Sequence, residues 1–139
     1  QQGRLGVNSS TEFFYSFQQI TTATNWLKVA PSFSYTIALK SDGTIWGWGL
    51  NNNYQTGSTP ASLNQPIPLQ IGIDTDWVEI ATGTNDISFA IKSNGTIWGW
   101  GSNPSSIIVS GSGTTTVSTP TQVGTGNDWV KMSVGAQHI

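Results

Sequence analysis

The stretch TIALKSDGTIWGWG at residues 36–49 returns almost unchanged as SFAIKSNGTIWGWG at residues 88–101. Each copy places Asp-Gly or Asn-Gly between two apolar runs, and these dipeptides accept the positive φ that a tight hairpin turn requires. The flanking residues are β-branched and aromatic, as in strands. The sequence therefore predicts an internal repeat built on a β-hairpin, with Gly43 and Gly95 in its turns.

All seven tryptophans recur with this repeat, at spacings of 51 or 52 residues. They form three sets of equivalent positions: Trp26, Trp77 and Trp129; Trp46 and Trp98; Trp48 and Trp100. Such rings could stack on sugars or bases, but their recurrence favours packing between repeats, because each ring buries a large area. We therefore interpret the seven tryptophans, together with Gly43 and Gly95, as the structural core of the repeat.

Each unit contains three or four short predicted strands and no helical periodicity. Besides the hairpin strands, strands are predicted near residues 26–30 and 77–81, and again near 68–71. A repeat of about 50 residues made of short antiparallel strands is typical of a β-propeller blade. The predicted fold is all-β, with blades of four-stranded antiparallel sheets.

The predicted organisation is one propeller domain over residues 1–139. Its units are the tail of a preceding repeat, two full repeats and the start of a further repeat, over residues 1–24, 25–75, 76–126 and 127–139. Propellers close with about four to eight blades, so these units are too few for a ring. We expect an incomplete ring that packs against further blades, from the same chain or from other copies.

The composition excludes several classes of function. Charged residues make up 9% of the chain, and the net charge is −2. The five basic residues are scattered, so a nucleic-acid partner is not expected. The chain has no cysteine, which removes disulfides and thiolate metal sites. No apolar run reaches the length of a membrane-spanning helix, and no cofactor or metal ion is expected.

The pattern W-x-x-V/I-A, followed by A-x-K-S-D/N-G-T-I-W-G-W-G-x-N and by P-x-Q-I/V-G, resembles the repeat of the regulator of chromosome condensation family in its bacterial form. Residues 3–6, GRLG, resemble a further motif of that repeat. In the later units YQTG at 54–57 and SIIV at 106–109 take its place. The resemblance implies a β-propeller with four strands in each blade.

Catalysis is not expected. The one histidine, His138, matches a histidine that the family often carries, with Tyr35 and Asp86 at the corresponding positions. Without a cysteine or a second histidine, no set of nucleophile, base and orienting group can be assembled. The acidic residues also show no pairing that indicates glycoside hydrolysis. The sequence therefore predicts a protein that is not an enzyme.

Three acidic residues, Asp74, Asp76 and Glu79, lie within the segment DTDWVE. Calcium binding is one interpretation. The equivalent segments of the other units lack these carboxylates, so a turn with solvated acids is the favoured one.

The most individual stretch is NPSSIIVSGSGTTTVSTP at residues 103–120. It could be a contact loop, in which Asn103, Ile107, Ile108 and Val109 would bind a partner. In the favoured alternative Ile108 fills a gap between blades, as Leu5 of GRLG would. An exposed apolar triplet with high β-propensity would be an aggregation hazard.

The predicted function is a non-enzymatic binding or structural module that presents its rim loops, at residues 50–66 and 102–118, to a protein or glycan. The richness in Ser, Thr, Asn and Gly favours an extracellular, cell-surface or virion location. The alternative is a regulatory propeller that acts on a protein partner. The resemblance implies this alternative, because the family includes an exchange factor for a small GTPase and an enzyme inhibitor.

Overall fold

The computed structural model describes residues 5–7, 16, 18–59, 64–104, 106–110 and 113–135. These residues form eight strands and no helix. The strands are β1 Trp26–Pro31, β2 Tyr35–Lys40, β3 Ile45–Leu50, β4 Asn64–Gln70, β5 Trp77–Thr82, β6 Ile87–Lys92, β7 Ile97–Ser102 and β8 Thr116–Gln122.

The strands form two antiparallel sheets, each in simple chain order. We call the sheet of β1 to β4 blade 1 and the sheet of β5 to β8 blade 2. The all-β prediction with four-stranded blades is confirmed. The strand predicted near residues 68–71 is longer than expected, since β4 begins at Asn64. Its two prolines are tolerated because β4 is an edge strand, where only one side of the backbone needs a partner.

The Asp-Gly and Asn-Gly dipeptides form the predicted hairpin turns. In blade 1 the Lys40 amide donates to the Thr44 carbonyl at 2.9 Å, and the Gly43 amide donates to the Lys40 carbonyl at 3.0 Å. Gly43 and Gly95 both have φ of +78°, whereas Asp42 has no positive φ. The connection is therefore a type I turn followed by one left-handed residue, a common three-residue hairpin loop.

The largest core cluster lies between the two blades. Blade 1 and the linker after it contribute Tyr35, Ile37, Leu39, Ile45 and Ile71, and blade 2 contributes Trp77, Ile80, Ala90 and Trp100. A second cluster covers the other face of blade 2 and contains Ile87, Phe89, Ile91, Ile97 and Ile108. Alternation along β6 divides its residues between these clusters, because neighbouring side chains of a strand point to opposite faces.

Backbone hydrogen bonds join each hairpin turn to the start of the next unit. The Trp77 amide donates to the Gly43 carbonyl at 3.2 Å, and the Trp129 amide donates to the Gly95 carbonyl at 3.1 Å. The two bonds occupy equivalent positions, so successive units are joined in the same way. Within the part of the chain that the structure describes, no helix is long and apolar enough to cross a membrane.

Candidate functional site

The antiparallel order of the strands divides the loops between two opposite rims. We call one of them the loop rim; it is formed by residues 32–34, 51–59, 83–86, 103–104, 106–110 and 113–115. We call the other the turn rim; it is formed by residues 41–44, 71–76, 93–96 and 123–128. Both predicted variable linkers therefore reach the loop rim, whereas the repeated Asp-Gly and Asn-Gly turns lie at the turn rim.

Tryptophan and lysine side chains form the same cluster in each blade. In blade 1 the rings of Trp26 and Trp46 meet edge to face at 6.1 Å. Lys40 Nζ lies 4.7 Å from the Trp26 ring and 3.8 Å from the Trp46 ring. Trp46 Nε1 donates to Thr44 Oγ1 at 2.9 Å, and Thr44 Oγ1 donates to Asp42 Oδ1 at 2.6 Å. This chain of bonds gives a physical reason for the repeated sequence D/N-G-T-x-W.

Blade 2 repeats this arrangement with one addition. Lys92 Nζ lies 4.8 Å from the rings of both Trp77 and Trp98. It also forms ion pairs with Asp74 at 2.7 Å and Asp76 at 3.2 Å. Burial lowers the pKa of Lys92, but the hydrogen bonds and charges of the two aspartates outweigh it, so the net pKa is raised.

The seven tryptophans differ in burial. Trp48, Trp77 and Trp100 are buried, and Trp77 and Trp100 belong to the core between the blades. Trp100 Nε1 donates to the Gln55 carbonyl of blade 1 at 3.2 Å. Trp26, Trp46 and Trp98 are half-buried, while Trp129 is half exposed.

The three acidic residues considered for calcium binding form ion pairs with lysines. Asp74 and Asp76 pair with Lys92, as described above, so these two acids are not simply solvated. Glu79 is buried and pairs with Lys28 of blade 1. Among the described residues no group of three histidine, cysteine, aspartate or glutamate side chains could hold a metal ion. The acids that the sequence singles out therefore stabilise the contact within and between blades.

The four residues predicted for the contact loop divide into two pairs. Asn103 and Ile108 are buried, and the Ile108 amide donates to Asn103 Oδ1 at 2.9 Å. Ile107 and Val109 are half-buried and pack against the second core cluster. The binding role of this loop stays a prediction, and a partner could reach Asn103 or Ile108 only after the loop opens.

Blade 1 contains the same loop clamp. The Thr56 amide donates to Asn51 Oδ1 at 3.1 Å, and Asn51 Nδ2 donates to the Ser58 carbonyl at 3.0 Å. Asn51 and Asn103 both follow the sequence W-G-W-G-x. That shared position, the asparagine of the pattern W-G-W-G-x-N, is a sequence signal for an asparagine that holds its own loop.

The structure corrects one correspondence between the units. Counting from Trp26 and Trp77 makes Tyr35 equivalent to Asp86. Strand register makes Tyr35 equivalent to Ile87 instead, because Tyr35 pairs with Gly49 and Ile87 pairs with Gly101. The extra residue of the second unit therefore lies before Ile87. His138, the third member of this set, lies outside the described residues.

Tyr35 joins the two blades. Its hydroxyl donates to the Ile87 carbonyl at 2.6 Å and accepts from Ser88 Oγ at 3.2 Å. Burial raises the pKa of Tyr35 well above its ordinary value. Asp86 lies instead on the loop rim, with φ of +56°, where it accepts from Ser34 Oγ at 3.3 Å and Asn53 Nδ2 at 3.2 Å.

The fold and its rims define a pair of adjacent β-propeller blades. Two models of the regulator of chromosome condensation (RCC1) repeat match the chain, at residues 28–55 and 42–91. Residues 28–91 therefore carry RCC1 repeats, and the resemblance found in the sequence is confirmed.

Three curated relatives extend this result. The chain is 34% identical over 71 residues to the Rho GTPase-activating protein gacGG of Dictyostelium discoideum, covering 50% of the chain and 6% of that protein. It is 29% identical over 108 residues to the human probable E3 ubiquitin-protein ligase HERC6, covering 73% of the chain and 10% of that protein. It is 24% identical over 108 residues to the RCC2 homolog of Danio rerio, covering 77% of the chain and 22% of that protein. The chain thus spans less than a quarter of each relative.

Solved structures share the fold. Human WBSCR16 matches with a TM-score of 0.75 and 20% identity, over 88% of this chain and 32% of that one. Prp20p of Saccharomyces cerevisiae matches with a TM-score of 0.71 and 16% identity, over 90% of this chain and 32% of that one. These neighbours identify the fold as part of an RCC1-type β-propeller.

Proposed function

We propose that this chain is a non-enzymatic, protein-binding part of an RCC1-type propeller, which presents its loop rim to a protein partner and regulates that partner. Prp20p is described with binding properties to Gsp1p and histones, and this precedent favours a protein partner over a glycan. The glycan and the extracellular, cell-surface or virion location stay predictions from composition, without support from the comparisons.

The proposal rests on a contrast between the two repeats: strands β3 and β7 have almost the same sequence, whereas the loops that follow them at the loop rim differ. The sequence TIWGWG is identical at residues 44–49 and 96–101, where it forms β3 and β7. The loops that follow, 51–59 and 103–111, share an asparagine and a serine and differ at their other positions. Loops that vary on a rigid scaffold are where binding residues concentrate.

The loop rim has exposed side chains for such contacts. Phe33, at the tip between β1 and β2, is 83% exposed. Asn52, Pro104 and Ser110 are also exposed. Because Asn103 and Ile108 are buried, these neighbours supply the contacts, and the clamp asparagines hold the loops in place.

The absence of enzymatic activity is part of the proposal. Asp74 and Asp76 pair with Lys92, and Glu79 pairs with Lys28. Carboxylates that are held in ion pairs with lysines are poorly placed to exchange a proton with a substrate. This supports a binding role.

The test is an exchange of linkers. Residues 102–118 are replaced by the sequence of residues 50–66, which has the same length, in one variant with Thr at position 108 and in a second with Ile108 retained. We expect the second variant to keep its β-rich circular dichroism and to melt at a somewhat lower temperature, because Ile108 is restored but the half-buried Ile107, Val109 and Val117 are not. Affinity capture from cells of the source organism, followed by titration with the purified partner, compares both variants with the unchanged chain.

We expect the second variant to lose the partner of the unchanged chain. Capture of the same partner with unchanged affinity would place the binding site outside this linker and contradict the proposal.

A further inference from the structure

Apolar side chains stand exposed at the turn rim because of a repeated β-bulge. Trp26 pairs with Lys40 and Lys28 pairs with Leu39, so Leu27 has no partner on β2. The same shift between β5 and β6 leaves Val78 without a partner. A bulged residue is turned out of the ladder. Leu27 is 66% exposed and Val78 is 49% exposed.

The linker between the blades adds an apolar residue that the repeat does not require. Ile73 is 91% exposed. The other two units have Thr22 and Thr125 at the equivalent position, four residues before their first tryptophan. Because both alternatives are polar and exposed, Ile73 is not needed for packing of the blades. Ile73, Leu27 and Val78 give the turn rim three exposed apolar side chains, and groups of exposed apolar residues among polar ones mark contact sites.

Carboxylates surround these apolar residues. The turn rim carries Asp42, Asp74, Asp76 and Asp128, four of the seven acidic residues of the chain. Lys40 and Lys92 stand over tryptophan rings, and Lys92 is also paired with Asp74 and Asp76. Among the described residues, no lysine lies within 4 Å of the carboxylates of Asp42 or Asp128. Even if Lys131 is counted with Lys40 and Lys92, the turn rim has four carboxylates and three lysines.

A shallow groove lies beside these residues. It has a volume of about 430 Å³, and its lining comprises Val78, Lys92, residues 93–95, Asn127, Asp128, Trp129 and Val130. The groove can take an apolar side chain between the two valines. The Asp128 carboxylate at the edge of the groove can attract a cation, as Asp74 does for Lys92 within the protein.

We propose that the turn rim docks an extended segment of a protein partner in which lysine or arginine alternates with apolar side chains. Such a segment places alternate side chains on one face, so its apolar residues meet Ile73, Val78 and the groove while its cations meet Asp42 and Asp128. This surface is separate from the loop rim of the proposed function, and it can exist whether or not the loop rim binds a partner.

The test uses the whole 139-residue chain and a synthetic peptide that alternates lysine with leucine, with a matched peptide that alternates glutamate with leucine. Fluorescence anisotropy measures the affinity. Ile73→Thr and Asp42→Asn each introduce the residue that another unit carries at the same position, so neither should unfold the protein. Phe33→Ser is the matched control, because Phe33 is similarly exposed but lies on the opposite rim.

We expect the double variant of Ile73 and Asp42 to bind the lysine peptide at least tenfold more weakly, and Phe33→Ser to leave its affinity unchanged. The affinity should also fall as salt is added. Equal binding of the glutamate peptide, equal loss in Phe33→Ser, or unchanged affinity in the double variant would each overturn the proposal.

Discussion

Replacing Gly43 with alanine tests how the hairpin turn joins one blade to the next. A Cβ atom on Gly43 would overlap the carbonyl oxygen of Thr75 and lie 2.6 Å from its carbonyl carbon. The left-handed backbone, with φ of +78°, adds about 1–2 kcal/mol for a residue with a side chain. Moving the linker away would break the bond from the Trp77 amide to the Gly43 carbonyl, a further ~0.5–1.5 kcal/mol. We therefore expect Gly43→Ala to lower the free energy of unfolding by about 1.5–3.5 kcal/mol.

Gly72→Ala is the matched control. Gly72 has φ of +66°, but a Cβ there would have no atom within 4 Å. Its substitution should therefore cost only the conformational term of about 1–2 kcal/mol. Gly111, which could serve as another comparison, lies outside the described residues.

Urea denaturation followed by tryptophan fluorescence measures both variants, and the slope with urea should stay the same. The reasoning is refuted if Gly43→Ala costs no more than Gly72→Ala, because the turn would then not contact the next blade.

Three further outcomes follow from the buried contacts and the charges. Trp100→Ala is expected to cost about 3–5 kcal/mol of stability, and Trp46→Ala clearly less, because the Trp46 ring is only half-buried; equal losses in urea denaturation would contradict this packing. Tyr35→Phe removes one of the two donors to the Ile87 carbonyl, which keeps its bond from the Gly83 amide, and should cost about 0.5–1.5 kcal/mol; a neutral result would show that the Tyr35 hydroxyl does not help to hold the blades together. The net raised pKa of Lys92 means that its contribution is present below its unfolded value of about 10.5 and is lost as pH rises through the folded pKa. As the pH rises above about 10.5, Lys92→Met should therefore lose less stability than the unchanged chain, and identical pH profiles in that range would show that Lys92 contributes nothing there.

The sequence alone determined the repeat, the hairpin turns and the resemblance to the RCC1 repeat, because each depends on residue types and spacings that are visible along the chain. Asp-Gly and Asn-Gly set the turn through glycine's access to positive φ and the hydrogen bond of the preceding side chain to Thr44 or Thr96. The tryptophan spacing revealed the period without any knowledge of packing. For the candidate site, the sequence located the variable linkers but not which of their residues are exposed.

Only the tertiary structure decided the partners of individual side chains. The lysine that pairs with Glu79 is 51 residues earlier in the chain, and no local pattern connects the two. The same holds for Asn103, whose burial depends on how its loop folds back over blade 2. Strand register, and not residue counting, showed that Ile87 is the equivalent of Tyr35. Burial, charge pairing and strand register arise only when distant segments of the chain meet in the folded protein, so they cannot be read directly from the sequence.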